Sequence, residues 1–98
     1  MGEQFERTEL LLGQEAVKKL NDSKVLIFGV GGVGGYVAEA LARTGVGSFT
    51  LVDKDTVSES NINRQIIALH STVGRDKVDV LKERMLDINP DVAVDARK

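Results

Sequence analysis

The chain has 98 residues, of which 42% are hydrophobic and 29% charged, as in an ordinary small globular domain. Its formal net charge of −2 argues against a nucleic-acid or membrane surface, and its lack of cysteine excludes disulfides, thiolate zinc sites and cysteine nucleophiles. No apolar run approaches the roughly 18 to 20 residues of a membrane span, and the polar N-terminus is unlike a signal peptide, so we expect a cytoplasmic protein without a membrane partner.

The N-terminal region is predicted to form two short helices. Between Thr8 and Leu20 apolar residues recur at helical spacing, but Gly13 interrupts the pattern. The polar segment 21–23 then predicts a turn, and the apolar run 24–28 predicts the first strand.

A glycine-rich loop follows this strand directly, with the spacing Gly-x-Gly-x-x-Gly from Gly29 to Gly34. Gly29 permits a tight turn, Gly31 leaves room for a phosphate to approach the backbone, and Gly34 lets the next helix pack closely. Gly32 lies in the same loop. Because the N-terminus of that helix would face the anion, the loop predicts a nucleotide site. The glycines alone also fit a strand-to-helix turn that binds nothing.

The next helix is predicted over residues 32–43, with Gly45 as its cap. The second strand is predicted at residues 48–52, and Asp53 closes it. An acid about 20 residues beyond the glycines is placed to bind ribose hydroxyls. The apolar face of the helix is predicted to pack on the sheet through Val33, Val37, Ala40 and Leu41.

Residues 54–63 are polar and predict a loop, and Ser60 or Asn61 is predicted to cap a short helix through Leu69. A longer helix is predicted from Gly74 to the stop at Asn89-Pro90, and a third strand begins at residues 92–94. Apolar residues at helical spacing are predicted to be core in the longer helix: Val78, Leu81, Met85 and Ile88.

The order strand, helix, strand, helix, strand predicts an α/β fold, namely a Rossmann-like βαβαβ half with an N-terminal helical segment. Right-handed crossovers predict three parallel strands in the order 3-2-1. A complete doubly wound fold would continue beside the first strand. We therefore expect residues 1–98 to be the N-terminal nucleotide-binding part of a larger domain, whose remainder this chain does not include.

A second group of motifs decides the reaction class. The run Asn61-Ile-Asn-Arg-Gln65 lies between Asp53-Lys-Asp55 and Val73-Gly-Arg-Asp-Lys77. With these motifs in order, the chain closely resembles the ThiF-like ATP-dependent activating enzymes, which include the molybdopterin-synthase and thiamine-carrier adenylyltransferases and the ubiquitin-activating enzymes. The resemblance extends from Arg7 to Pro90.

Within this family, the Asn-Ile-Asn triplet before Arg64-Gln65 is similar to the tRNA threonylcarbamoyladenosine dehydratase branch. Sulfur-carrier adenylyltransferases usually read Asn-Leu-Gln there. The segment 65–74 resembles the same branch, although some members carry histidine where Ile67 stands.

The resemblance implies that a carboxylate attacks the α-phosphate of ATP and gives an acyl-adenylate and pyrophosphate. In the dehydratase branch the carboxylate belongs to the threonyl group of a modified tRNA adenosine, which then cyclises with net loss of water. By family position, Arg64 and Lys77 would bind phosphate oxygens, Asp53 the ribose, and Asn61 would hydrogen-bond near the nucleotide. Arg7 matches an arginine that reaches the ATP of a neighbouring subunit, which implies a homodimer.

The resemblance also implies magnesium, but the family's magnesium-binding aspartate and its substrate-binding segments have no counterpart in these 98 residues. No metal ligand is therefore assigned in this chain. Asp55 could approach a magnesium ion or cap its loop, and we expect the cap. The chain alone is expected to be inactive. Its larger protein would act on tRNA or on a small ubiquitin-like sulfur carrier.

Three alternatives stay open at this stage. One is a sulfur-carrier-protein adenylyltransferase, and another is the NAD-binding half of a dehydrogenase, since the glycines and Asp53 suit NAD equally well. The third is a non-catalytic dimerisation module. The run 61–65 and Lys77 favour an activating enzyme, because hydride transfer has no evident need for them.

Overall fold

The computed structural model describes residues 3–98, and a three-stranded parallel sheet lies at its centre. The strands are β1 (Lys24–Phe28), β2 (Ser48–Val52) and β3 (Ala93–Arg97). They are hydrogen-bonded in the order β1-β2-β3, so that Val25 pairs with Phe49 and Phe49 with Val94. The predicted α/β class and strand order are confirmed.

Two short helices precede the sheet, as predicted. A single 3-10 turn (Glu3–Phe5) leads into α1 (Glu6–Leu12), and α2 (Gln14–Asp22) follows. Gly13 separates the two helices with a φ of +87°, a backbone conformation that glycine adopts without strain. The predicted turn at residues 21–23 is wrong in its first two positions, because α2 continues to Asp22 and ends at Ser23, whose hydroxyl donates to Lys19 O at 2.6 Å.

The helix α3 (Val33–Thr44) connects β1 to β2, and Gly45 ends it in the left-handed conformation, as predicted. The predicted sheet-facing side of α3 is wrong, since Val33, Val37 and Ala40 are exposed and Leu41 is only half-buried. The buried positions are instead Gly35, Ala38 and Ala42.

Two glycines explain why α3 turns this side toward the sheet. A Cβ at Gly34 would lie 1.8 Å from Gly29 O, and one at Gly35 would lie 2.6 Å from Val30 O. The side of the helix without side chains is therefore the side that lies against the strand and loop. The valines are turned away from the sheet as a consequence.

The helix α4 (Lys77–Ile88) precedes β3 and supplies the predicted core residues. Val78, Leu81 and Met85 are buried and Ile88 is half-buried. The predicted start at Gly74 is wrong, because Gly74 lies in a turn with a φ of +88° and Asp76 occupies the N-cap position.

The predicted helix from residue 60 to Leu69 is also wrong. The segment contains one 3-10 turn, Glu59–Asn61, followed by turns. The hydroxyl of Thr72 accepts from Leu69 N at 2.9 Å and donates to Ile67 O at 2.8 Å. These bonds satisfy backbone groups that a helix would otherwise pair.

The core lies between one face of the sheet and the helices α3 and α4. Its largest fully buried side chains are Phe49, Leu51, Ile67, Leu81 and Met85. Leu26 and Phe28 alternate with the inward residues of β1 and are 55% and 73% exposed on the opposite face. Within residues 3–98, no helix is long and apolar enough to cross a membrane.

Candidate functional site

The candidate site lies at the carboxyl edge of the sheet, where parallel strands present their following loops together. The glycine loop follows β1, Asp53 follows β2, and Lys98 follows β3. Ligands of open α/β sheets bind at this edge.

The glycine loop depends on backbone conformations that other residues rarely adopt. Gly29 has a φ of +79° and donates its N–H to Val52 O at 2.8 Å. Gly32, the N-cap residue of α3, has a φ of +52°. The first N–H groups of α3 have no partner within the helix, so they point out of the loop as donors for an anion.

Asp53 fixes this loop from the neighbouring strand. Its Oδ2 accepts from Val30 N at 2.9 Å, and its Oδ1 accepts from Asp55 N at 2.8 Å. A carboxylate has about four lone-pair sites, so both oxygens keep capacity for further donors. The arrangement is compatible with ribose binding, which stays a prediction.

Asp55 does not cap its loop as predicted. Its exposed carboxylate accepts no hydrogen bond from the part of the chain that the structure describes, and the carboxylate of Asp53 holds the turn instead. Asp53 holds this turn because it directly follows β2, beside the glycine loop, where its carboxylate reaches the backbone N–H groups of Val30 and Asp55.

Asn61 organises the next part of the site. It is 8% exposed, and its Oδ1 accepts from Ser58 N at 2.9 Å. Its carbonyl accepts from the backbone N–H groups of Arg64 and Gln65 at 3.1 and 2.9 Å. The Oδ1 atom of Asn61 thus holds the loop in place, and the contact of Asn61 with a nucleotide stays a prediction.

Arg64 is exposed and has no acidic partner among residues 3–98. Its Nη1 donates to Ser60 O at 3.0 Å and to Asn63 Oδ1 at 2.9 Å. Arginine carries five N–H donors in a planar fork, so Nε and Nη2 are available to an anion.

Lys77 is the first residue of α4 and is only 7% exposed. Its backbone N–H donates to Asp55 O at 3.0 Å, which ties the start of α4 to the loop after β2. Within the described residues its ammonium has neither a hydrogen bond nor an ion pair. Most of the Lys77 side chain is therefore covered by the protein, and its ammonium has no counter-charge among these residues, so it is available to an anionic ligand.

Three other cations of this region are paired with carboxylates. Lys98 pairs with Asp76 at 2.9 Å, Arg97 pairs with Asp95 at 2.9 Å, and Arg75 pairs with Glu83. The hydrogen bond from Arg75 holds the pKa of Glu83 below its ordinary value, and the hydrogen bond to Asp76 raises the pKa of Lys98. Arg64 and Lys77 differ from these three in lacking an acidic partner.

Gln65 contacts the glycine loop and was not among the predicted site residues. A Cβ at Gly31 would lie 2.7 Å from its Oε1. The sequence feature that could have identified Gln65 as a site residue is its position directly after Arg64 in the Asn-x-x-Arg-Gln run.

Except for Arg7, the predicted site residues are linked to one another through contacts or hydrogen bonds. The glycine loop contacts Asp53 and Gln65, Asp55 links Asp53 to Lys77, and Asn61 bonds the backbone of Arg64. Arg7 lies apart on α1, where it is exposed.

In the range 3–98, no group of three or more His, Cys, Asp or Glu side chains is close enough to hold a metal ion.

Comparison with known proteins gives three findings. The model of the ThiF family matches residues 5–98. The tRNA threonylcarbamoyladenosine dehydratase of Bacillus subtilis (strain 168) is 56% identical over 95 residues, which are 97% of this chain and 37% of that protein. The molybdopterin-synthase adenylyltransferase of Escherichia coli (strain K12) is 48% identical over 82 residues, which are 84% of this chain and 32% of that protein.

Solved structures agree with these matches. The crystal structure of the E. coli tRNA N6-threonylcarbamoyladenosine dehydratase in complex with ATP matches with a TM-score of 0.92 and 45% identity, over 95% of this chain and 38% of that one. The same enzyme in complex with AMP matches equally well. The chain spans about a third of the length of the curated relatives it matches.

Proposed function

Since the chain belongs to the ThiF family, we propose that it forms the nucleotide-binding part of an ATP-dependent enzyme that adenylates a carboxylate. The observation that carries this proposal is Lys77, which is 7% exposed and has no acidic partner among residues 3–98. A phosphate group would supply the missing negative charge. Lys77 and the donors of the glycine loop would together bind a polyphosphate.

Each residue has a distinct role in the proposed reaction. An oxygen of the carboxylate forms a bond to the α-phosphorus of ATP, and the bond from that phosphorus to the bridging oxygen breaks as pyrophosphate leaves. Arg64 and Lys77 would stabilise the negative charge on the phosphate oxygens, Arg64 through its Nε and Nη2 donors and Lys77 as a point charge. Such reactions depend on alignment and charge neutralisation more than on covalent help from the protein.

Asp53 and Asn61 would position the nucleotide. Asp53 is already aligned by Val30 N and Asp55 N, so its remaining lone pairs can accept from ribose hydroxyls without rearrangement. The Oδ1 of Asn61 is used by Ser58 N, which leaves its Nδ2 to donate to the nucleotide.

For the acceptor we propose the threonylcarbamoyladenosine of tRNA, which would be activated at its carboxylate and then cyclised with net loss of water. The identity of 56% to a dehydratase over nearly the whole chain supports this choice. The shorter match at 48% to a molybdopterin-synthase adenylyltransferase keeps a small sulfur-carrier protein as the second candidate. The tRNA contacts would lie outside this chain, whose net charge is −2.

A homodimer and a cytoplasmic location belong to the same proposal. Arg7 is exposed on α1, and on the same helix Leu10 and Leu11 are 86% and 87% exposed. A second subunit packed on these leucines would bury them and would bring Arg7 toward the neighbouring nucleotide. Magnesium would be bound by residues of the larger protein.

Titration calorimetry of the full-length protein with ATP and with NAD tests the nucleotide assignment. We expect ATP to bind in preference to NAD, and Arg64→Ala to weaken ATP binding by about tenfold or more. Arg43→Ala on the exposed surface of α3 is the matched control and should bind ATP as the wild type does. A preference for NAD, or an ATP affinity that Arg64→Ala leaves unchanged, would sink the proposal.

A further inference from the structure

The helix α1 has a defined place beside α2, although none of its seven residues is buried. Leu10 and Leu11 are 86% and 87% exposed, and Arg7 is exposed on the same helix. Isolated helices shorter than about 12 to 15 residues are marginal in water, so α1 is too short to be stable by itself. The residues that flank α1 must therefore hold it in place.

Phe5, directly before α1, is attached to the body of the domain. It is 5% exposed, yet it lies outside the hydrophobic core between the sheet and the helices α3 and α4. Its ring lies against Gly45, where an added Cβ would be 3.6 Å from Phe5 Cδ1 and from Cε1. The neighbouring Gln4 donates its side-chain Nε2–H to Ile88 O at the end of α4. The start of α1 is thus fixed to the carboxyl ends of α3 and α4.

This attachment lies at the edge of the sheet opposite the candidate site. The helices α3 and α4 end shortly before β2 and β3 begin, so Gly45 and Ile88 lie at the amino edge. The glycine loop and Asp53 lie at the carboxyl edge, and a five-residue strand separates the two edges by roughly 16 Å. Arg7 follows Phe5 by two residues, so its side chain starts near the amino edge, remote from the nucleotide site of its own chain.

We infer that Phe5 is a positioning residue, which fixes the direction of α1 and thereby presents Arg7 to the nucleotide site of a second copy of this chain. The inference rests on the proposed function, in which a second subunit packs on Leu10 and Leu11. Phe5 itself touches no nucleotide and acts only through Arg7. An aromatic ring suits this role because it is rigid and buries a large apolar area at one point.

Mixed dimers of the full-length protein separate this role from a general loss of stability. One subunit carries Phe5→Ala, which keeps its own nucleotide site but loses the support of α1. The other carries Arg64→Ala, which impairs its own site but keeps α1 and Arg7 in place. The two subunits carry different affinity tags, so that the mixed dimer is purified, and pyrophosphate release is measured with ATP and with tRNA that carries threonylcarbamoyladenosine.

Three further variants complete the comparison. Arg7→Ala, alone and in a mixed dimer with Arg64→Ala, gives the effect of losing the arginine itself. Val92→Ala, at a buried position of the core ahead of β3, is the matched control for lost apolar packing. Phe5→Leu keeps part of the contact with Gly45 and is measured in the same way, so that the test stands even where Phe5→Ala does not fold. Circular dichroism and light scattering report the fold and the mass of each protein.

We expect the Phe5→Ala homodimer to lose about tenfold or more in activity, as Arg7→Ala does, and Val92→Ala to stay within about threefold of the wild type. The mixed dimer of Phe5→Ala with Arg64→Ala should recover to about half of the wild-type activity, because one of its two sites then has an intact Arg64 and receives Arg7 from the other subunit. Phe5→Leu should lose less activity and recover in the same way. A Phe5→Ala protein that is folded but monomeric, where the wild type and Val92→Ala are dimeric, would support the inference as well.

Two results would overturn the inference alone. A fully active Phe5→Ala homodimer beside an inactive Arg7→Ala homodimer would show that α1 is placed without the ring. A mixed dimer as inactive as the Phe5→Ala homodimer would show that Phe5 acts within its own subunit. An Arg7→Ala homodimer as active as the wild type would remove the proposed role of Arg7 and the inference with it. If the wild type is monomeric or releases no pyrophosphate, the proposed function fails, which the wild-type measurements show before any variant is compared.

Discussion

The carboxylate of Asp53 accepts a hydrogen bond from the backbone N–H of Val30 at 2.9 Å, across 23 positions of sequence. This bond joins the end of β2 to the glycine loop after β1. Its second oxygen binds Asp55 N at 2.8 Å. One side chain thus sets the relative position of two loops of the candidate site.

Asp53→Asn should therefore lower both stability and nucleotide affinity. The amide replaces one acceptor oxygen with an NH2 group, so one backbone N–H, of Val30 or of Asp55, would face a donor. We expect the free energy of unfolding to fall by about 1 to 3 kcal/mol in urea titrations. Asp87→Asn, on the exposed surface of α4, is the control and should change it by less than about 0.5 kcal/mol. Equal effects of the two changes would contradict the role of Asp53.

Gly34→Ala should be far more destabilising than Gly13→Ala. A Cβ at Gly34 would lie 1.8 Å from Gly29 O, a backbone atom that can move only with the strand. Gly13 has a positive φ but no atom within 4 Å of its added Cβ, so its cost is backbone strain alone. We expect about 4 kcal/mol or more, or failure to fold, for Gly34→Ala, and about 1 to 2 kcal/mol for Gly13→Ala. Similar unfolding midpoints for the two variants would show that α3 does not pack this closely.

Lys77→Met should separate binding from stability. The methionine keeps an apolar chain in the buried position and removes an ammonium that lacks an acidic partner in the described part of the molecule. We expect stability to be little changed, because methionine keeps the apolar part of the side chain and no ion pair of the described residues is lost. ATP affinity should fall by about tenfold or more. Lys82→Met on the same helix is the control, and a loss of ATP affinity there as large as at Lys77 would contradict the assignment.

The surface ion pair of Arg75 and Glu83 should contribute weakly to the stability of the folded state, and this contribution should depend on salt and on pH. The hydrogen bond from Arg75 lowers the pKa of Glu83 from its ordinary value of 4.5. The stabilisation is therefore present above pH 4.5 and is lost as the pH falls through the lower pKa of the folded state. Comparison of the wild type with Glu83→Gln by thermal unfolding should show a small difference at pH 7 that becomes smaller as the pH is lowered to 3. High salt should reduce that difference, and an equal difference at both pH values would contradict the pairing.

The sequence permitted prediction of those features that depend on local chemistry. Gly13 and Gly45 marked helix ends because they can adopt positive φ, and the position of Asp53 after an apolar run placed it at the carboxyl edge. The core side of α4 followed from regular apolar spacing, which Leu81 and Met85 satisfy.

Features that depend on long-range contact were missed. The apolar pattern of α3 suggested that Val33 and Val37 face the sheet, but the close approach of Gly34 to Gly29 O determines the rotation of the helix. The contact of Gln65 with Gly31 joins positions 34 residues apart, and no periodicity encodes it. The hydroxyl of Thr72 likewise replaces helical hydrogen bonds in a way that residue type alone does not indicate.

The proposal of an ATP-dependent activation of a tRNA carboxylate is tested most directly by pyrophosphate release. The full-length protein is mixed with ATP and with tRNA that carries threonylcarbamoyladenosine, and pyrophosphate is measured over time. We predict release that requires the modified tRNA, falls by at least about a hundredfold in Arg64→Ala, and is not supported by a sulfur-carrier protein. Release that depends on a sulfur carrier instead of tRNA, or no release with either, would contradict the account.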